Sequence, residues 1–303
     1  MACSGRGGAQ RQDRRRGSRV AERFGRMSDE TPSAYLARLG KMASGPQDIA
    51  TAALMLAALD RPEMDLAPFR AHLAELAEAA RAEAAFALSP ELAAQGLSAL
   101  LHGRYGYDGD QVRFEAPESA DMISVIVNRR GLPVALGILY MHAARAAGVK
   151  ARGLSAPNHF LLMIQAGGGE AVIDPFNGGK IIEHERSAKP PGMASAPRPI
   201  SGGKQTVEQV SDIEVLLRLQ NNLKTRAQEA NDIPRAVTVL QRMLLIAPDK
   251  APLWLEMGRL QESIQVLGAA REAYERSFQL ERNMGDAANE ASLALQSLKR
   301  RLN

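Results

Sequence analysis

Between Pro133 and Arg145 the chain is apolar almost all the way round a helical wheel, in the run Val134-Ala135-Leu136-Gly137-Ile138-Leu139-Tyr140-Met141. A helix with no polar face has to be buried on every side, so a fold must be built around it. Pro133 suits a first helical turn, where its missing N–H is no loss. Gly148 supplies the stop, because glycine accepts the left-handed backbone of a helix end. Beyond it, Lys150 to Leu154, His159 to Gln165 and Glu170 to Asp174 read as strands, the last two joined by a hairpin turn at Gly167-Gly168-Gly169. Asp174 to Gly179 is a further turn, and Lys180 to Glu183 a short strand. A buried helix packed on a small antiparallel sheet follows.

The sequence upstream is helical from Thr31 to about His102. Asp65 is placed to cap a helix through Phe69, Leu73, Leu76 and Ala80, and Ser89-Pro90-Glu91 opens another. Tyr105 to Asp110 breaks the pattern, and Ser119 to Arg129 resumes it. Asp108-Gly109-Asp110 lacks the alternating oxygen donors and terminal Glu of a calcium loop. His72, His102 and His184 show no ligand spacing, and His142 reads as a core histidine. No metal and no cofactor are expected.

The only cysteine is Cys3. It lies in a segment, residues 1–26, in which eight arginines stand against Asp13 and Glu22; that segment carries +6, so the rest of the chain is −2 although the whole is +4. Met27-Ser28-Asp29-Glu30 opens like an ordinary N-terminus. Residues 1–26 are therefore read as a disordered basic tail, or as untranslated if synthesis starts at Met27. A nucleic-acid arm would want aromatic residues for stacking, which the tail almost wholly lacks. No apolar run approaches the roughly 20 residues of a membrane span, and the expected location is cytoplasmic.

From Lys189-Pro190-Pro191-Gly192 to Gly202-Gly203 breakers dominate, and 184–210 reads as a linker, with a lid over the His159 cleft as the sharper alternative. After Ser211 helical periodicity returns with a spacing of 34 residues. Leu223, Ala236, Leu240 and Pro248 recur as Met257, Ala270, Tyr274 and Arg282, accompanied by Trp254 and Gly258. Such spacing is that of tetratricopeptide-like helical hairpins, and a last helix is expected from Asp286 to Leu302. One or two helix pairs cannot bury their own faces, so the array should pack on the preceding core.

Three segments carry a resemblance: Arg129-Arg130-Gly131-Leu132-Pro133-Val134-Ala135-Leu136, Ala156-Pro157-Asn158-His159-Phe160-Leu161, and Ile173-Asp174-Pro175-Phe176-Asn177-Gly178-Gly179. Together they resemble the transglutaminase-like superfamily, a branch of the papain-like fold, and within it the SirB-type family, in which a degenerate core precedes tetratricopeptide repeats. The resemblance implies an α+β fold: a helical N-terminal region and transglutaminase-like core over 27–183, the linker 184–210, and tetratricopeptide-like hairpins over 211–303. It also implies that His159 and Asp174 are the general base and its orienting acid, with the nucleophile at Pro133–Ala135. None of those three residues can attack a carbonyl, and a SirB-type serine is missing at Ala135. Thiol catalysis needs a thiolate beside the imidazole. The sequence thus argues for a vestigial His159–Asp174 pair and a protein or peptide partner held by the core cleft and the repeats. The alternative is a cysteine-independent amide hydrolase or transferase that uses His159 and Asp174, with Ser155 the nearest hydroxyl.

Overall fold

A computed structural model describes residues 30–42, 47–83, 86, 88–156, 159–182, 198–199, 206–284 and 289–302. The helices α1 (Pro32–Gly40), α2 (Ile49–Ala58), α3 (Ala67–Arg81) and α4 (Pro90–Ser98) come first, and α4 continues as a wider π turn over Ala99–Arg104. Side chains set their starts. Thr31, Asp48 and Ser89 each accept a hydrogen bond from a backbone N–H of the first turn, which satisfies one of the four donors that a helix leaves open.

The pair β1 (Asp108–Gly109) and β2 (Arg130–Gly131) brackets a 3-10 turn at Pro117–Ala120 and α5 (Met122–Asn128). One continuous helix from Ser119 to Arg129 was the expectation. Asp121 interrupts it with an extended backbone, and its carboxylate accepts from Ser124 N–H to start α5 anew.

The central helix is α6 (Pro133–Ala146). Every residue from Pro133 to Met141 is buried, and Gly148 turns the chain at φ +79°. The strands β3 (Lys150–Ala156), β4 (His159–Ala166), β5 (Gly169–Asp174) and β6 (Lys180–Ile182) follow as an antiparallel meander. Side chains alternate across the sheet. Phe160, Leu162, Ile164 and Ile173 join the main core with α6, whereas Leu154, Leu161 and Val172 form a small cluster of their own. Gly137 makes the contact possible, since a Cβ there would overlap the Phe160 ring.

The stretch 184–210 is not linker throughout. Its last five residues form β8 (Thr206–Val210), which pairs antiparallel with β3 and is flanked by β7 (Arg198–Pro199). Thr206-Val207-Glu208-Gln209-Val210 is rich in the β-branched residues that strands favour, a signal which the preceding Gly202-Gly203 masks in the sequence. The sheet order is thus β6-β5-β4-β3-β8-β7. Residues 183–197, where a lid was considered, lie outside the described residues.

Helices α7 (Asp212–Glu229), α8 (Ile233–Ile246), α9 (Ala251–Ser263), α10 (Leu267–Met284) and α11 (Asn289–Leu302) complete the chain. A reciprocal capping box of Ser211 and Glu214 starts α7. The boundary at 210/211 does not separate two cores: Val215, Leu216 and Leu219 of α7 and Val239, Leu240 and Met243 of α8 are buried in the same cluster as α2 and α6. Two ionic clasps follow that join. Arg145 at the end of α6 meets Asp212 with both guanidinium nitrogens, at 2.7 and 2.8 Å. Asp60, after α2, receives both Arg235 and Arg242, and although burial opposes it, the two guanidinium groups hold its carboxyl far below the ordinary range. Only farther out does a separate cluster appear, around Leu255, Ala270, Tyr274, Ala291 and Leu298. There the Tyr274 ring fills the space that a Cβ on Gly258 would take. Among the described residues, no helix is long and apolar enough to cross a membrane.

Candidate functional site

Helix α6 leads through Gly148 into β3, and the first residue of β3, Lys150, pairs with Gln165 near the end of β4. The start of β4 therefore lies toward the other end of α6, the end that opens with Pro133. His159 is the first residue of β4. Asp174 is the last of β5, opposite the early part of β4 by the register Leu162↔Ile173. The strand ends thus bring both residues toward the level at which the buried helix opens.

His159 Nε2 lies 2.9 Å from Asp174 Oδ2. A carboxylate can only accept, so the bond puts a proton on Nε2 and leaves Nδ1 as the remaining ring nitrogen. Asp174 is nearly sealed, its side chain 5% exposed, whereas that of His159 is 37% exposed. The carboxylate is fixed from the other side as well. Asn177 Nδ2 donates to Oδ2 at 2.6 Å and Phe176 N–H to Oδ1 at 2.9 Å, the turn that Asp-Pro-Phe-Asn builds on its own side chain. The hydrogen bond that His159 donates to Asp174 raises the His159 pKa above its ordinary value, with burial and the Arg218 cation acting against it. Burial works to raise the Asp174 pKa, but the hydrogen bonds from His159 and Asn177 and the charge of the imidazole outweigh it and leave the group lowered.

The opening turn of α6 offers this pair nothing to activate. Val134 is 2% exposed and Ala135 fully buried, and Leu132, which caps the helix, makes no side-chain capping bond. Cys3 lies outside the described residues. Ser155, the nearest hydroxyl in sequence, is held elsewhere: its Oγ accepts from Arg218 Nη1 at 2.5 Å, and Arg218 Nη2 donates to the His159 carbonyl at 2.9 Å. It pairs across the hairpin with Phe160, a residue of the α6 side of the sheet. The structure brings His159 and Asp174 together and leaves Ser155 tied to α7.

Arg218 and Asn177 carry no sequence signal as site residues. Arg218 arrives from a helix about 60 positions away, and burial lowers its pKa. Asn177 was legible only as part of a turn. Phe176 packs edge to face on Phe114 at 5.9 Å, and Phe114 is 39% exposed beside Val112 at 94%. Phe114 therefore borders the turn that holds Asp174. His142 donates through Nε2 to the Leu73 carbonyl of α3 at 2.8 Å; the carbonyl can only accept, so Nε2 carries the proton. His184 lies outside the described residues. Among the described residues no three His, Cys, Asp or Glu side chains converge as a metal site.

The family described as the transglutaminase-like superfamily matches residues 67–221, just over half of the chain. A UPF0162 protein of Xylella fastidiosa strain 9a5c is 25% identical over 236 residues, covering 75% of this chain and 82% of that one. The UPF0162 protein YchA of Escherichia coli K12 is 25% identical over 178 residues, 58% of this chain and 65% of its own. Among solved structures, menin aligns with a TM-score of 0.47 at 10% identity, over 84% of this chain and 62% of its own, a likeness too loose to carry an argument. The chain belongs to the transglutaminase-like superfamily.

Proposed function

With membership of the transglutaminase-like superfamily as premise, we propose that this chain is a non-catalytic, SirB-type protein that binds a protein or peptide partner. One observation carries the reading: the residues at the place of a nucleophile, Pro133, Val134 and Ala135, are apolar and buried in the core. A general base contributes only what its nucleophile allows. In a serine protease, losing the nucleophile costs on the order of a millionfold in turnover. What remains at the strand ends is a shape, with a partly exposed imidazole, a fixed carboxylate and the Phe114 ring against the turn that holds it. An extended segment suits such a border, with its backbone donors and acceptors met by polar groups and an apolar side chain by Phe114.

The C-terminal hairpins support the same reading. Their 34-residue spacing, with small Gly258 and Ala270 against Tyr274, is that of tetratricopeptide-like units, and such arrays bind peptides on a concave face. The reading places the encounter in the cytoplasm, without membrane or nucleic acid.

The test uses the full chain and His159→Ala side by side. Expected is no amide hydrolysis and no glutamine-dependent crosslinking above background in either, together with saturable binding to members of an extended-peptide array. Turnover that disappears in His159→Ala would falsify the reading, and its persistence in Cys3→Ser would establish the cysteine-independent enzyme, for which the 2.9 Å contact of His159 with Asp174 is the favouring observation.

A further inference from the structure

A second polar cluster lies outside the His159–Asp174 site, where the pairing Asp108↔Arg130 and Gly109↔Gly131 brings two loops together beside α3. Arg129 caps α5 at φ +56°, ψ +25°, a left-handed backbone where glycine is the ordinary choice. Its Nη1 donates to the Tyr107 hydroxyl and lies 2.5 Å from His72 Nε2. The guanidinium carbon stands 4.7 Å from the Tyr107 ring centroid. Tyr107 is fully buried, and burial pushes its pKa to about 12.

The tautomers follow from the contacts. Tyr107 accepts from Arg129 and its hydroxyl is 2.8 Å from His72 Nε2, so it donates there and His72 is neutral, with its proton on Nδ1. Burial, and then the charge of Arg129, hold the His72 pKa below its ordinary value. Glu75 is the carboxylate nearest His72, 3.6 Å from Nδ1, and its Oε1 accepts from Tyr105 at 2.9 Å. Asp108 faces His102 instead, at 3.7 Å. Among the described residues, no carboxylate contacts Arg129. Two more arginines flank it: Arg130 donates to the Gly106 and Arg129 carbonyls, and Arg104 stands 5.3 Å from the Tyr105 ring.

A guanidinium has two edges able to grip a pair of coplanar oxygens. The Nη1 side of Arg129 is filled by Tyr107 and His72. Its Nε and Nη2 have no partner among the described residues. A half-buried cation without a counter-ion, held on a backbone that its own Cβ disfavours, is an arrangement that persists where strain serves a task. We propose that the Nε–Nη2 edge of Arg129, the guanidinium held by Tyr107 and His72, binds a carboxylate group. The fork matches two coplanar oxygens, and the charge of Glu75 nearby repels a phosphate dianion more than a carboxylate monoanion.

The test follows the ring proton resonances of His72 by NMR in the full chain while sodium acetate is added, with sodium chloride at equal ionic strength and inorganic phosphate as parallel arms. Expected is a saturable shift with acetate, a weaker one with phosphate and none with chloride. Arg129→Lys, which loses the fork, should bind acetate about tenfold more weakly. Arg129→Gly is the decisive variant. Glycine takes the left-handed backbone freely, so this variant should melt at or above the wild-type temperature and show no acetate response. Phosphate binding more tightly than acetate would overturn the carboxylate assignment. An unchanged acetate response in Arg129→Gly would overturn the site. A wild type that ignores acetate, beside an Arg129→Gly variant that melts well below it, would reduce Arg129 to a structural brace.

Discussion

One paired carboxylate stands at the closing end of α6 and another at the ends of β4 and β5, and the two pairs are built to different ends. At the closing turn, Arg145 grips Asp212 with two hydrogen bonds, and Asp212 also accepts from Gln47 N–H at 2.7 Å. That side chain is 8% exposed, and its partners reach it from α6 and from the segment before α2. At the strand ends, Asp174 is equally sealed, but its partner His159 is more than a third exposed and the helix itself contributes only apolar, buried residues. In the first pair the arginine is 22% exposed and spends its nitrogens on Asp212 and the Ala151 carbonyl, joining parts of the chain. In the second the acid is sealed and the imidazole, 37% exposed, has one ring nitrogen left over. Burial of the acid therefore says little about purpose; exposure of its partner separates a clasp from a surface.

Arg145→Ala should break the clasp with the largest effect. Removing one partner leaves the buried Asp212 side chain without its guanidinium, at a cost of about 3 kcal/mol for an acid sealed this well. The position of Asp212 in the first turn of α7 offsets only part of it, since that end of a helix favours negative charge. Urea denaturation should show a lower midpoint, with the C-terminal helices loosened from the core. A midpoint within experimental error of wild type would mean that the two pairs do not differ in the way described.

Midway along the helix, Gly137→Ala tests whether the α6–β4 contact positions the exposed pair. The added methyl overlaps the Phe160 ring, next in the strand to His159, and overpacking of this kind costs typically 1–3 kcal/mol. If β4 is displaced, the His159–Asp174 bond should weaken with it. A lost stability with an unchanged His159 titration would show that the pair is held by the Asp174 turn alone.

A smaller effect distinguishes the pairs by pH. The folded-state pKa of His159 is raised from 6.5, so its stabilisation is fully present below about pH 6.5 and is lost as pH rises through the higher folded value. That of Asp174 is lowered from 3.8, so its share is present above about pH 3.8 and is lost as pH falls through the lower folded value. The ion pair is thus complete between those limits. Because the imidazole is well exposed, the amount is modest, below about 1 kcal/mol. Asp174→Asn should flatten the slope of stability between pH 6 and 8 and return the His159 titration, followed by NMR, to its ordinary range. A slope that survives would assign it to another group.

Much of this was legible in the chain. The all-round apolar run from Pro133 needs no partner to be read as buried, and the Gly167–Gly169 turn fixes which strands neighbour each other, hence that His159 can meet Asp174. The strand Thr206–Val210 was not legible, because its ladder partner β3 is some 50 positions earlier and the breakers before it look like linker. For the same reason α7 reads as the start of a separate array: a 34-residue spacing records how helices repeat, and is silent on which face of the first one rests on α6. The cluster of His72, Tyr107 and Arg129 comes from three elements with no shared motif. Only the arginine's left-handed backbone sets it apart, and a backbone angle at a non-glycine residue leaves no mark on composition or period.

The smallest expected effect sharpens the comparison most. Ala135→Cys, in a Cys3→Ser background, restores a sulfur at the opening turn of α6. The N-terminus of a helix lowers a thiol pKa, and a chain only dormant for want of sulfur would respond. Here Ala135 has no exposed surface, and burial in apolar surroundings raises the same pKa and denies the thiol both water and substrate. Iodoacetamide should therefore label this cysteine no faster than the protein unfolds, and no amide should be cleaved. Rapid labelling at neutral pH, slowed by His159→Ala, would show an open path between the strand-end imidazole and the helix. The opening end of α6 would then be an active site lacking one atom, and no longer a piece of core.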